Sequence, residues 1–129
     1  MKKWCFILCV ASLLLCCKDE KRPEEVAAES ACAYYERLLG GDYEGFLGGV
    51  AGADSLPGDY RSQLVDNARM FLAVQQREHG GIRSVRVASA KADTASRSVE
   101  AYLILCFGDS TNEEIVVPMT ERDGRWMMK

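Results

Sequence analysis

Val99-Glu100-Ala101-Tyr102-Leu103-Ile104-Leu105-Cys106-Phe107 is the stretch that decides the fold. Val99, Ala101, Leu103, Leu105 and Phe107 fall on one face of an extended chain, because side chains alternate with period two. Tyr102, Ile104 and Cys106 soften the other face, so apolar surface on both sides predicts a central strand. Outward from it, Gly108-Asp109-Ser110-Thr111-Asn112 reads as a hairpin loop, and Glu114 to Glu121 as the next strand. Pro118 lacks a backbone N–H, which places it at an edge or a bulge. Asp123-Gly124 is a two-residue hairpin turn, and Arg125 to Met128 completes the sheet with Trp126 turned inward. On the N-terminal side, Ile82 to Lys91 alternates Val85 and Val87 with Ser84 and Arg86, and Asp93 to Ser98 is a turn-rich loop.

Before residue 82 the apolar period changes to that of a helix. Pro23-Glu24-Glu25 opens the first: proline suits the first helical position, and acids suit the positive end of the helix dipole. Ala27, Ala31, Tyr34, Tyr35 and Leu38 recur along one side, and Gly40-Gly41 stops it. Asp42 caps a second, short helix from Tyr43 to about Val50. After a glycine-rich break, Gly48 to Gly58, a third runs from about Gly58 to Glu78 with Tyr60, Leu64, Ala68, Phe71, Leu72 and Gln75 on one face. Gly80-Gly81 ends it. Helices and strands are segregated, which defines an α+β domain: three N-terminal helices packed on a curved four-stranded antiparallel sheet.

The chain starts Met1-Lys2-Lys3, continues with an apolar run from about Trp4 to Leu15, and reaches Cys16-Cys17-Lys18-Asp19-Glu20-Lys21. A basic start and a short apolar stretch make a secretory signal. The run is shorter than the roughly 20 residues that span a bilayer core. Leu14-Leu15-Cys16-Cys17 is similar to a lipobox, with Cys17 as the lipidated residue. This divides the chain into a lipoprotein signal peptide at 1–17, a charged linker at 18–22 and one α+β domain at 23–129. The linker either is simply solvated or, in its likeness to the Lys/Asp/Glu-rich signal of Bacteroides-type surface lipoproteins, directs export. The expected address is a bacterial outer membrane, facing the periplasm or the outside.

Without Lys2 and Lys3, the 16 basic residues become 14 against 19 acidic ones, a net charge of −5. An acidic domain without a basic cluster argues against nucleic-acid binding, and membrane contact is expected through the lipid. Of six cysteines, Cys5, Cys9 and Cys16 leave with the signal and Cys17 is acylated. Cys32 and Cys106 remain; they either form a disulfide or are two small buried apolar groups.

Gly41-Asp42-Tyr43-Glu44-Gly45-Phe46, Gly80-Gly81-Ile82 and Asp123-Gly124-Arg125-Trp126 punctuate this helix-then-sheet order. On those residues the chain resembles the nuclear transport factor 2-like cone fold, and within it the small Bacteroides-type lipoproteins of unknown function. The resemblance implies a pocket between the sheet's concave face and the helices. Relatives include isomerases, dehydratases and non-catalytic binding subunits, so the fold supplies a pocket without fixing its chemistry.

Tyr34, Tyr35, Tyr43, Tyr60, Tyr102 and Trp126 are the candidate pocket lining, each joining an apolar body to a polar tip. His79, the single histidine, suits the third helix's C-terminal dipole better than a general base, and Asp42 suits the N-cap better than a pocket acid. Nucleophile motifs, phosphate loops and metal-ligand spacings are missing, so no catalytic residue, metal or cofactor is expected. The leading expectation is a lipid-anchored, non-catalytic module binding a small ligand or an envelope protein. The alternatives are a small isomerase or hydratase using pocket Asp and Tyr residues, and a structural subunit that forms a homodimer through the sheet face.

Overall fold

A computed structural model of the chain describes residues 20–129. The signal segment, Cys17 and residues 18 and 19 of the linker lie outside the described residues. The order is α1 (Pro23–Leu39), α2 (Tyr43–Leu47), a 3-10 turn (Ala53–Ser55), α3 (Gly58–His79), then β1 (Ile82–Asp93), β2 (Ser98–Phe107), β3 (Asn112–Arg122) and β4 (Arg125–Met128). None of the described helices is long and apolar enough to cross a membrane.

Local chemistry sets the helix ends. Pro23 occupies the first turn of α1, with Glu24 and Glu25 beside it. After α1, Gly41 takes a φ of 82°, and the Asp42 N–H donates back to the Arg37 carbonyl at 2.9 Å. Asp42 then caps α2, its Oδ1 accepting the Gly45 N–H at 2.9 Å. That helix stops at Leu47 rather than near Val50, because the chain is diverted into the sheet. The Ala51 N–H donates to the Met128 carbonyl and the Met128 N–H to the Gly49 carbonyl, both at 2.7 Å. Val50 thereby forms a parallel bridge to β4. At the end of α3, Gly80 (φ 74°) and Gly81 donate to the Gln76 and Gln75 carbonyls, closing the last turn.

The sheet is antiparallel in the order β1-β2-β3-β4. β2 fills the central role its alternation predicts: Val99, Ala101, Leu103, Leu105 and Phe107 are all buried. Val117 and Met119 of β3, Val85 of β1 and Met128 of β4 join them on the inner face. Helix α1 lies across that face on Ala27, Ala28, Ala31 and Cys32, and the three alanines are at most 1% exposed. Their small side chains let the helix backbone approach the sheet closely and leave little free volume between the layers. Two register shifts in β1, between Ile82 and Ser84 and between Val87 and Ser89, bend that strand and curve the sheet. Pro118 sits at an edge position inside a paired strand. Its carbonyl accepts the Lys129 N–H at 3.0 Å, so its missing N–H falls on the side where β4 runs out.

The outer face of the sheet carries no helix. Tyr102, Ile104 and Cys106 of β2 lie there, with Val116 of β3 half-exposed beside them.

Candidate functional site

The main apolar hollow among the described residues lies between helices, not under the concave sheet. It has a volume of about 350 Å³ and is lined by Tyr35 and Leu38 of α1, Phe46 and Leu47 of α2, Val50, and Leu64, Asn67, Ala68 and Phe71 of α3. The expected position between sheet and helices is filled by α1, whose alanines sit directly on β2 and its neighbours. The hollow arises because α3 meets the body through a narrow seam: along its 22 residues only Ala68 is buried. Its volume is at the lower end for small-molecule sites, and such sites are mostly apolar with few polar groups. Asn67 and the Tyr35 hydroxyl are the polar groups that its lining residues bring. Tyr35 meets Phe46 edge to face, with ring centroids 5.3 Å apart. Burial pushes the Tyr35 phenol above its ordinary pKa, so it stays protonated. No lining residue is a carboxylate, which leaves the Asp/Tyr proton-transfer chemistry without its acid at this site.

Of the six aromatic residues expected to line a pocket, only Tyr35 does so in this hollow. Tyr34 instead ties α1 to the last strand, its hydroxyl donating to the Trp126 carbonyl at 2.8 Å. Its ring lies against Gly49, where any Cβ would collide with it. Trp126 packs partly buried against the core. Tyr43 is on α2 with the Arg69 guanidinium 5.1 Å above its ring. Tyr60 is half exposed on the first turn of α3, because the hollow begins one turn further on, at Leu64. Tyr102 is on the outer sheet face, where its hydroxyl donates to Glu100 Oε2 at 2.8 Å and that bond raises its pKa.

Cys32 and Cys106 are both free, so the disulfide alternative is corrected. Cys32 belongs to the inner layer, within 3.7 Å of the Val85 carbonyl, whereas Cys106 alternates onto the outer face of β2. The sheet itself separates them. Burial, then the hydrogen bond to Glu36 and the charge of Glu36, push the Cys32 thiol up to about 11. It is therefore a protonated apolar group at neutral pH, not a nucleophile.

His79 has a partner that the sequence did not reveal. Its Nδ1 lies 3.0 Å from Asp109 Oδ2, and its ring stacks on Phe107 with centroids 4.3 Å apart. Asp109 Oδ1 accepts both the Thr111 N–H at 3.0 Å and the Thr111 hydroxyl at 2.5 Å. These pairs, with the Asp109 N–H on the His79 carbonyl at 2.9 Å, pin the end of α3 to the β2–β3 loop. The Thr111 bonds first, and His79 after them, hold the Asp109 carboxyl down at about 2. A carboxylate with a lowered folded-state pKa stabilises the fold above its unfolded value, and that contribution is lost as pH falls from about 4 through about 2. Carbon-detected NMR titration should place Asp109 near that value. Thr111→Val should raise it more than His79→Asn does, and the reverse order would contradict the assignment.

Helices segregated ahead of a curved antiparallel meander, with α1 laid across its inner face, make up the nuclear transport factor 2-like fold. A solved structure of that fold from Campylobacter jejuni, a protein provisionally named an NTF2-like transpeptidase, superposes with a TM-score of 0.62. The match covers 84% of this chain and 97% of that one, at 13% identity, a likeness of fold. No protein-family model and no curated protein sequence matches the chain.

Proposed function

We propose that this chain is a lipid-anchored envelope protein whose domain binds a small apolar molecule without transforming it. The observation that carries the reading is the inter-helix hollow, whose wall is almost wholly aliphatic and aromatic and contains no carboxylate. A site of this kind binds by removing apolar surface from water, about 25 cal/mol for each Å². Asn67 supplies a polar contact that orients the guest. The N-terminal pattern ending at Cys17 supports the tether, since several acyl chains on one cysteine anchor a protein stably. Transpeptidation, the activity in the name of the Campylobacter jejuni protein, needs an activated nucleophile. Cys32 is held protonated and, among the described residues, His79 is paired with Asp109 and with no cysteine, so the described residues lend that activity no support.

The test has two arms. In the producing cell, Cys17→Ser should move the protein from the membrane fraction to the soluble fraction and abolish acyl labelling. With the domain from residue 18 onward, a fluorescent naphthylamine probe should brighten and saturate. Ala68→Trp, which fills the hollow, should remove most of that signal while circular dichroism stays unchanged. A probe signal indifferent to Ala68→Trp would overturn the binding reading, and unlabelled wild-type protein would overturn the anchor.

A further inference from the structure

A second cleft, distinct from the apolar hollow, lies at the β3–β4 hairpin. It has a volume of about 540 Å³ and its wall includes Arg61, Arg122 and Arg125, together with Gly52 and Ser55 of the glycine-rich segment. The local sequence forces two of these arginines together. Asp123 (φ 53°) and Gly124 (φ 77°) are the central residues of a two-residue turn with both φ angles positive, so the flanking residues must pair. Those residues are Arg122 and Arg125, directly opposite each other across the ladder. Like charges at such a position are destabilising. Neither has a carboxylate within 4.0 Å among the described residues, although Asp54 and Asp123 also line the cleft.

Arg61 completes the group and is already held in position. Its Nη1 donates to the Ala53 carbonyl at 3.1 Å, and its Nη2 lies 2.8 Å from Glu44 Oε2. Three arginines thus line one opening of a chain whose net charge is −3. Planar guanidinium forks match the paired oxygens of a phosphate or sulfate group, and a dianion there would relieve the repulsion between Arg122 and Arg125.

We propose that this cleft is a binding site for a tetrahedral oxyanion, the phosphate or sulfate group of a small solute or a headgroup, with Arg122 and Arg125 as the gripping pair and Arg61 as the fixed wall. The experiment uses the full chain in non-ionic detergent and follows the arginine Nε–H resonances. Inorganic phosphate should give a saturable shift of the Arg122 and Arg125 signals that chloride at equal ionic strength does not reproduce. Phosphatidic acid doped into the micelles tests the headgroup source, and tighter saturation with it than with inorganic phosphate assigns that source. Arg125→Gln should weaken phosphate binding about tenfold or more, the loss of one charged hydrogen-bonding pair. The same variant should melt no lower than the parent without phosphate, which separates lost binding from lost folding. Arg86→Gln, on β1 at the opposite edge of the sheet, should leave binding unchanged. Saturation by neither phosphate source, or an equal response to chloride, would overturn the proposal.

Discussion

Leu103→Ala should lower the thermal midpoint of the domain by roughly 10–20 °C, the shift that a loss of about 2–5 kcal/mol produces in a domain of this size. Leu103 is fully buried at the middle of β2, paired with Val87 on one side and Ile115 on the other. It is capped by the alanine face of α1. Truncation there loses the transfer free energy of the removed atoms and adds a cavity. α1 and the sheet are already in close contact through Ala27, Ala28 and Ala31, so no longer side chain stands by to collapse into the gap. The matched control is Ile104→Ala, one residue along but on the open face, where partial exposure should hold the loss to a fraction of that. Scanning calorimetry on both variants decides it: similar losses at 103 and 104 would mean that the sheet buries neither face preferentially.

Gly108→Ala should destabilise the domain by about 1–3 kcal/mol. A Cβ on Gly108 would lie 2.5 Å from the Gly80 carbonyl oxygen, and the neighbour is backbone, not the tip of a flexible side chain. Nor can that backbone retreat freely. The Gly108 N–H donates to the Gly81 carbonyl at 2.8 Å, and the next N–H, of Asp109, donates to the His79 carbonyl. Relief of the clash therefore breaks bonds that fasten α3 to the β2–β3 loop and disturbs the His79–Asp109 pair with them. Gly58→Ala provides the opposite sign: nothing lies within 4 Å of its added methyl group, its φ is ordinary, and it starts α3. That change should stabilise by a few tenths of a kcal/mol to about 1 kcal/mol by reducing the freedom of the unfolded chain. Urea melts of the two variants would contradict this account if they moved in the same direction.

Much of the fold was legible because it rests on periodicity and punctuation. The alternation in 99–107 defines the central strand, and Gly40-Gly41, Gly80-Gly81 and Asp123-Gly124 stand at real chain reversals. The alternation also held the answer to the cysteines. Cys106 shares a face with Tyr102 and Ile104, and Cys32 shares one with the core alanines, so a sheet must come between them. The candidate site was less legible. Tyr35, Phe46, Leu64 and Phe71 all read as apolar faces of helices, yet periodicity shows that a face is buried and not which face meets it. Separation of 30 residues hid the His79–Asp109 pair. The opposition of Arg122 and Arg125 was readable in principle, because a two-residue turn at Asp123-Gly124 fixes the partners on either side.

The short bridge between Val50 and Met128 has a consequence for how copies of this protein meet. A four-stranded sheet has two rims of unpaired backbone groups, and a bare rim is a template for strand addition and aggregation. Here one rim, β4, is only four residues long and is engaged by Gly49 and Ala51 from within the same chain. The other rim, β1, is bent by two bulges and carries Arg83, Arg86 and Lys91. Those two rims are blunted, which leaves Asn112–Val117 of β3, beyond the reach of β4, as the straight stretch of open backbone among the described residues, and Glu113, Glu114 and Pro118 guard it.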